Sequence, residues 1–86
     1  MEKISRNEAL RKIQTIFREQ FLNLDLEVSE GSSPETIEEW DSMAHIAIII
    51  AIEGAFSISV STEEMGEVGA VSDLLDILAK RQIILN

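Results

Sequence analysis

Met43 to Ile52 (MAHIAIIIAI) is a ten-residue run whose only polar side chain is His45. Nothing else in the chain restricts the fold so tightly. Ile46, Ile49 and Ile52 recur at helical spacing while Ile48 and Ile50 fall on other faces, so the segment reads as a helix that is apolar nearly all round. A helix of that kind is either central in a bundle or turns an apolar face to a partner. It is too short for a membrane span, which needs roughly 18–20 apolar residues. The expected helix runs from about Ser42 to Phe56, with Gly54 weakening its end.

Three more helices are punctuated around it. Ser5-Arg6-Asn7-Glu8 has the form of a capping box, and Leu10, Ile13, Ile16, Phe17 and Phe21 follow at helical spacing, predicting a first helix to about Leu22. Ser61-Thr62-Glu63-Glu64 repeats the capping signal and opens a short helix that Gly66 and Gly69 keep from growing. Val71, Leu74, Leu75 and Leu78 mark a last amphipathic helix ending near Lys80-Arg81, where cations suit the helix dipole. Residues 23–41 hold the only proline, a Gly-Ser-Ser cluster and seven carboxylates. They read as a long loop with a turn after Ser33-Pro34, ordered by the anchors Leu24, Leu26, Val28, Ile37 and Trp40. Phe56 to Val60 alternates, but one strand without a mate makes no sheet, so it reads as a connection. The expected fold is all-α: one domain over residues 1–86, a four-helix bundle with a long first loop and a short third helix.

Charge is unevenly placed. Five of the seven basic residues lie in the first eighteen positions, and between Glu19 and Ala79 there are fourteen carboxylates and no Lys or Arg. With a formal net charge of −9, such a field repels nucleic acid and anionic lipid and attracts proteins with basic surfaces. There is no cysteine, which removes disulfides, thiolate metal sites and thiol nucleophiles. The first residues are charged, with no signal-peptide core behind them, so a cytoplasmic location is expected.

Few chemistries survive. His45, the one histidine, lies three residues after Ser42, so the two could share a helix face, but no third orienting group accompanies them. His45 is expected as a solvated helix residue. Glu38, Glu39 and Asp41 cluster as a solvated acidic turn without the partners a metal site needs, and no calcium loop or glycine-rich phosphate loop is present. An independent enzyme is not expected. Ser42 remains: its hydroxyl sits beside a helix N-terminus, where unpaired N–H groups and the dipole favour a phosphate. The same position suits a plain N-cap.

Asp-Ser-Met at a helix start, followed by AIEGAFSISVSTEEM, resembles the acyl carrier protein family. The similarity covers nearly the whole chain in order and is strongest from Glu38 to Leu78 (EEWDSMAHIAIIIAIEGAFSISVSTEEMGEVGAVSDLLDIL). It implies that Ser42 receives 4′-phosphopantetheine from coenzyme A, supported by Asp41 positioning the transferase and its metal. The arm would hold acyl intermediates as thioesters, and the carrier would catalyse nothing and bind no metal of its own. Implied partners are a phosphopantetheinyl transferase and acyl-loading, acyl-transfer or condensing enzymes, with the carrier a monomer. Trp40 stands where the common form has a small aliphatic residue, a pattern more similar to discrete carriers of polyketide-type, peptide or sugar-acylation pathways.

Two departures bear on partners and stability. Fatty-acid-type carriers place carboxylates two and five residues after the serine, where this chain has Ala44 and Ala47. The expected docking face is therefore apolar, formed by Met43, Ala47 and Ile50, with Glu38, Glu39, Asp41 and Glu53 steering from the rim. Before the last helix, Ala70-Val71-Ser72-Asp73 replaces the family's Thr-Val-Gly-Asp. Ala70 cannot cap, so that helix start is expected to be weak unless Ser72 or Asp73 caps a later one. Ile46, Ile49, Met65 and Val68 match positions between the second and third helices, which shelter an acyl chain or fill a core. A peptidyl or aminoacyl carrier, and an unmodified helical module dimerising through the second helix, are the alternative readings.

Overall fold

The computed structural model describes residues 3–85. Four helices follow in order: α1 (Arg6–Gln20), α2 (Ser42–Phe56), α3 (Thr62–Glu67) and α4 (Val71–Lys80). The all-α bundle read from the sequence is the fold observed, and no strand lies among the described residues. Ala9, Ile13 and Phe17 from α1 meet Ile48, Ile49 and Ile52 from α2 and Val71, Leu74, Leu75 and Leu78 from α4 in one buried cluster. Phe17, late in α1, packs edge-on against Trp40 at the mouth of α2, with ring centroids 4.9 Å apart. Ile4 and Phe56 line a common hollow at the other end. The two long helices therefore run in opposite directions.

The inward face of α2 is Ile48, Ile49, Ile52 and Phe56. The expected grouping of Ile46 with Ile49 and Ile52 is corrected, because Ile46 is 50% exposed. At about 100° per residue it stands well off the centre of the buried face. Met43, Ile46, Ala47 and Ile50 instead share the outer stripe, where Met43 and Ile50 are 83% and 61% exposed.

The long loop is held by α1 through its backbone. Gln14 Nε2 donates to Val28 O at 2.7 Å, and Arg18 Nε to Leu26 O at 2.9 Å. The Arg6 guanidinium forks onto the Glu30 carboxylate at 2.8–3.2 Å. Ser33 opens the expected turn, taking the N–H groups of Thr36 and Ile37 on its carbonyl and that of Glu35 on its hydroxyl. Val28, Ile37 and Trp40 are buried anchors and Leu26 packs against the core. Leu24 is not an anchor: it is 82% exposed. The left-handed turn at Leu22 (φ 50°) aims the chain outward there, and Asn23 ties that corner to Asp25 and Glu39 through its side chain.

Helix α4 starts at Val71 and is not weakly begun. The Asp73 carboxylate accepts from Gly69 N–H and Ala70 N–H at 2.8 and 3.0 Å. The N–H groups of Val71 and Ser72 donate to Ser32 O and Glu30 O in the long loop, both at 2.9 Å. Tertiary carbonyls thus take the part of a capping hydroxyl. At the far end of the chain, Ile4 N–H donates to Ile83 O and Leu85 N–H to Ile4 O. This single parallel bridge buries Ile84 beside the start of the bundle.

Candidate functional site

Asp41, not Ser42, caps α2. Its backbone is extended (φ −94°, ψ −174°), and its Oδ1 accepts from Ala44 N–H at 2.8 Å. Ser42 is the first helical residue, exposed, and its hydroxyl has no hydrogen-bond partner among the described residues. The N–H groups of Ser42 and Met43 are also unpaired there, since Ala44 is taken by the cap and His45 N–H by Asp41 O. A free hydroxyl beside two free N–H groups at the positive end of a fifteen-residue helix suits an esterified phosphate. The chain's donor set therefore fits a phosphate-linked arm at this position.

An open hollow of about 290 Å³ lies against the serine, lined by Pro34, Asp41, Ser42, His45 and Val68. Its inner wall overturns the expectation for His45, which is half-buried rather than solvated. The Trp40 indole N–H donates to His45 Nδ1 at 2.9 Å, and His45 Nε2 lies 2.8 Å from Met65 O. An acceptor at Nδ1 and a carbonyl at Nε2 fix the neutral ring with its proton on Nε2. The planes of the Trp40 and His45 rings are 20° apart with centroids at 5.8 Å, the side-by-side placement that the ring-to-ring hydrogen bond requires. With both nitrogens committed, His45 is no base for Ser42, which removes the serine–histidine hydrolase. The cause is burial: Trp40 is 2% exposed, and a buried indole N–H needs an acceptor. The signal was in the sequence, because His45, Ile48, Ile49 and Ile52 stand at i, i+3, i+4, i+7.

Of the other residues singled out from sequence, Glu38 and Glu39 are exposed on the approach to Ser42, and Met43, Ala47 and Ile50 lie on the outer stripe of α2. Glu53 does not belong with them as a free rim charge. It is half-buried, and its carboxylate accepts from Val60 N–H at 2.9 Å, pinning the connection after α2. Below the site, the Glu64 side chain carries the α3 capping box and meets the Arg81 guanidinium. That pairing, with the Ser61 N–H bond, holds the Glu64 carboxyl at about 2. Among the described residues no cluster of three potential metal ligands occurs and no helix is long and apolar enough to cross a membrane.

A bundle of three longer helices and one short one is the fold of an acyl carrier protein of known structure, the fold that the Asp-Ser-Met resemblance implied. A solved example is the holo acyl carrier protein of Geobacter metallireducens, whose solution structure superposes with a TM-score of 0.76 at 27% sequence identity. The match covers 85% of this chain and 84% of that one. No protein-family model and no curated protein matches the chain.

Proposed function

We propose that this protein is an acyl carrier, a single domain over residues 1–86 that accepts 4′-phosphopantetheine on Ser42 and serves a specialised, polyketide-type or other non-bulk acyl pathway in the cytoplasm. The observation that carries the reading is the division of labour at the start of α2. Asp41 caps the helix, which leaves the Ser42 hydroxyl exposed and two N–H groups free for the incoming phosphate. The likeness to a holo acyl carrier protein supports the carrier reading. When bound, the arm supplies a thiol on which acyl groups ride as thioesters.

The chain's own residues present and orient that arm. Ser42 supplies the attachment oxygen, the N-terminus of α2 stabilises the phosphate charge, and the second oxygen of Asp41 faces the approaching transferase and its metal. The stripe of Met43, Ala47 and Ile50 docks partner enzymes, with Glu38 and Glu39 steering them and Ile46 extending the apolar surface. Partners are a phosphopantetheinyl transferase and the enzymes that load, transfer or condense the acyl group. The carrier itself is a monomer and performs no catalysis.

Intact-mass spectrometry after incubation with coenzyme A and a broad-specificity phosphopantetheinyl transferase tests this directly. The wild type should gain one arm and Ser42→Ala none. No gain on folded wild type, together with a concentration-dependent dimer, would replace the carrier with an unmodified helical interaction module. Peptidyl carriers use the same arm, and loading with aminoacyl rather than acyl donors separates the two.

A further inference from the structure

The polar triad of Trp40, His45 and Met65 lies beside Ser42 and joins the long loop, α2 and α3. Helix α3 has six residues and no buried side chain, and a helix so short is not stable alone. Two polar clasps add to the packing of its partly buried Met65 against the core. One runs to α4, where Arg81 donates to Glu64 and to Ser59 O. The other is the hydrogen bond from His45 Nε2 to Met65 O. Through Trp40 this second clasp is anchored to Phe17 in the core of α1.

Resting on the carrier reading, we infer that His45 is a latch that bolts α3 onto α2 and keeps the carried chain out of the helix bundle. The open hollow beside Ser42 is lined by Pro34, His45 and Val68, so an arm on Ser42 has room there and meets His45. One turn further along the same face lies Ile49, 3% exposed, with Val68 at 7% closing the other side. To pass inward from the hollow between α2 and α3 toward Ile49, a chain must displace the imidazole and break its bonds to Trp40 and Met65. The cargo that suits such a carrier is short or polar and is carried outside the bundle. A long alkyl chain finds no entry. His45 is thus a positioning residue that sets cargo class, without touching the reacting thioester.

Two variants separate the two bonds. His45→Gln keeps a donor at the position of Nε2 and so keeps the bond to Met65; His45→Asn keeps only an acceptor for Trp40. On the unmodified protein, hydrogen exchange at the amides of residues 65–67 should be about tenfold faster in His45→Asn and near the wild-type rate in His45→Gln, with α1 amides unchanged in both. Equal exchange in all three proteins would overturn the latch. On protein loaded at Ser42 with acetyl, hexanoyl and decanoyl arms, hydroxylamine should cleave the wild-type thioesters at one rate whatever the chain length. In His45→Asn cleavage should slow as the chain grows. Slowing with chain length in the wild type would overturn the cargo assignment. Failure to load at all would overturn the carrier reading and the cargo assignment with it, while the exchange rates would still decide the latch.

Discussion

At the start of α2 two neighbouring residues divide what a single serine could have done alone. Asp41 satisfies the Ala44 N–H with its side chain, and Ser42 keeps its hydroxyl. Capping and transferase recognition both use the Asp41 carboxylate, but they ask different things of it. An amide oxygen caps as well as a carboxylate, whereas only the carboxylate carries charge. Asp41→Ala should therefore lower stability by about 0.5–2 kcal/mol in urea unfolding. Asp41→Asn should unfold like wild type yet accept the arm more slowly. Equal loading rates for Asp41→Asn and wild type would show that Asp41 is a cap and nothing more. His45 teaches a related lesson at the same scale. The expectation of a solvated residue passed over its register with Ile48, Ile49 and Ile52, and the acceptor demand of Trp40 was visible only once the loop was folded over it.

At the scale of elements, α3 is the shortest helix of the bundle, and ion pairs tie it to the end of α4. Arg81 and Lys80 both reach Glu64, whose side chain is 17% exposed. The Arg81 guanidinium and the Ser61 N–H lower its carboxyl from 4.5 to about 2. A carboxyl depressed in the folded state stabilises the fold above its ordinary pKa and loses that contribution as pH falls through the folded value. Wild type should thus be more stable than Glu64→Gln at pH 6, with the gap closing between pH 4.5 and about 2. A gap in urea midpoint that stays constant over that range would place the contribution in packing instead. Element starts were legible in the sequence, since Ser5, Ser61 and the Asp41-Ser42 pair all mark true N-termini. Element ends were legible to within two residues, since the expected stops near Leu22, at Phe56 and near Lys80-Arg81 meet observed ends at Gln20, Phe56 and Lys80. The backbone turn that makes each stop was not. Just past the ends of α1, α2 and α4 stand Leu22, Ser57 and Gln82, three non-glycine residues at φ of 50–61°. Each lets the following N–H close back onto Arg18 O, Glu53 O or Leu78 O. Nothing in their side chains announces a left-handed turn, which is ordinarily a glycine position. The start of α4 escaped for a different reason: its caps are loop carbonyls far away in sequence.

Across the whole molecule, charge and apolar surface are sorted onto the same side. The basic residues serve the frame: Arg6 holds the long loop through Glu30, Arg18 holds Leu26 O, and Arg81 clasps α3. The exposed apolar residues of α2, Met43, Ile46 and Ile50, remain beside the acids Glu38 and Glu39, with no cation of the chain between Glu19 and Ala79. An exposed apolar stripe contributes affinity through burial, whereas exposed rim charges act mainly on the rate of encounter and are screened by salt. The two contributions can be separated by the rate at which a phosphopantetheinyl transferase loads Ser42, since that enzyme must meet this face. Met43→Ala with Ile50→Ala should reduce kcat/KM for loading by about tenfold or more at any ionic strength. Charge reversal at Glu38 and Glu39 should reduce it by a few-fold at low salt, with the difference vanishing at high salt. If reversal of the two acids abolishes loading while the apolar truncations leave it intact, recognition is electrostatic. Ala44 and Ala47 would then stand where carboxylates are absent without an apolar surface taking their place.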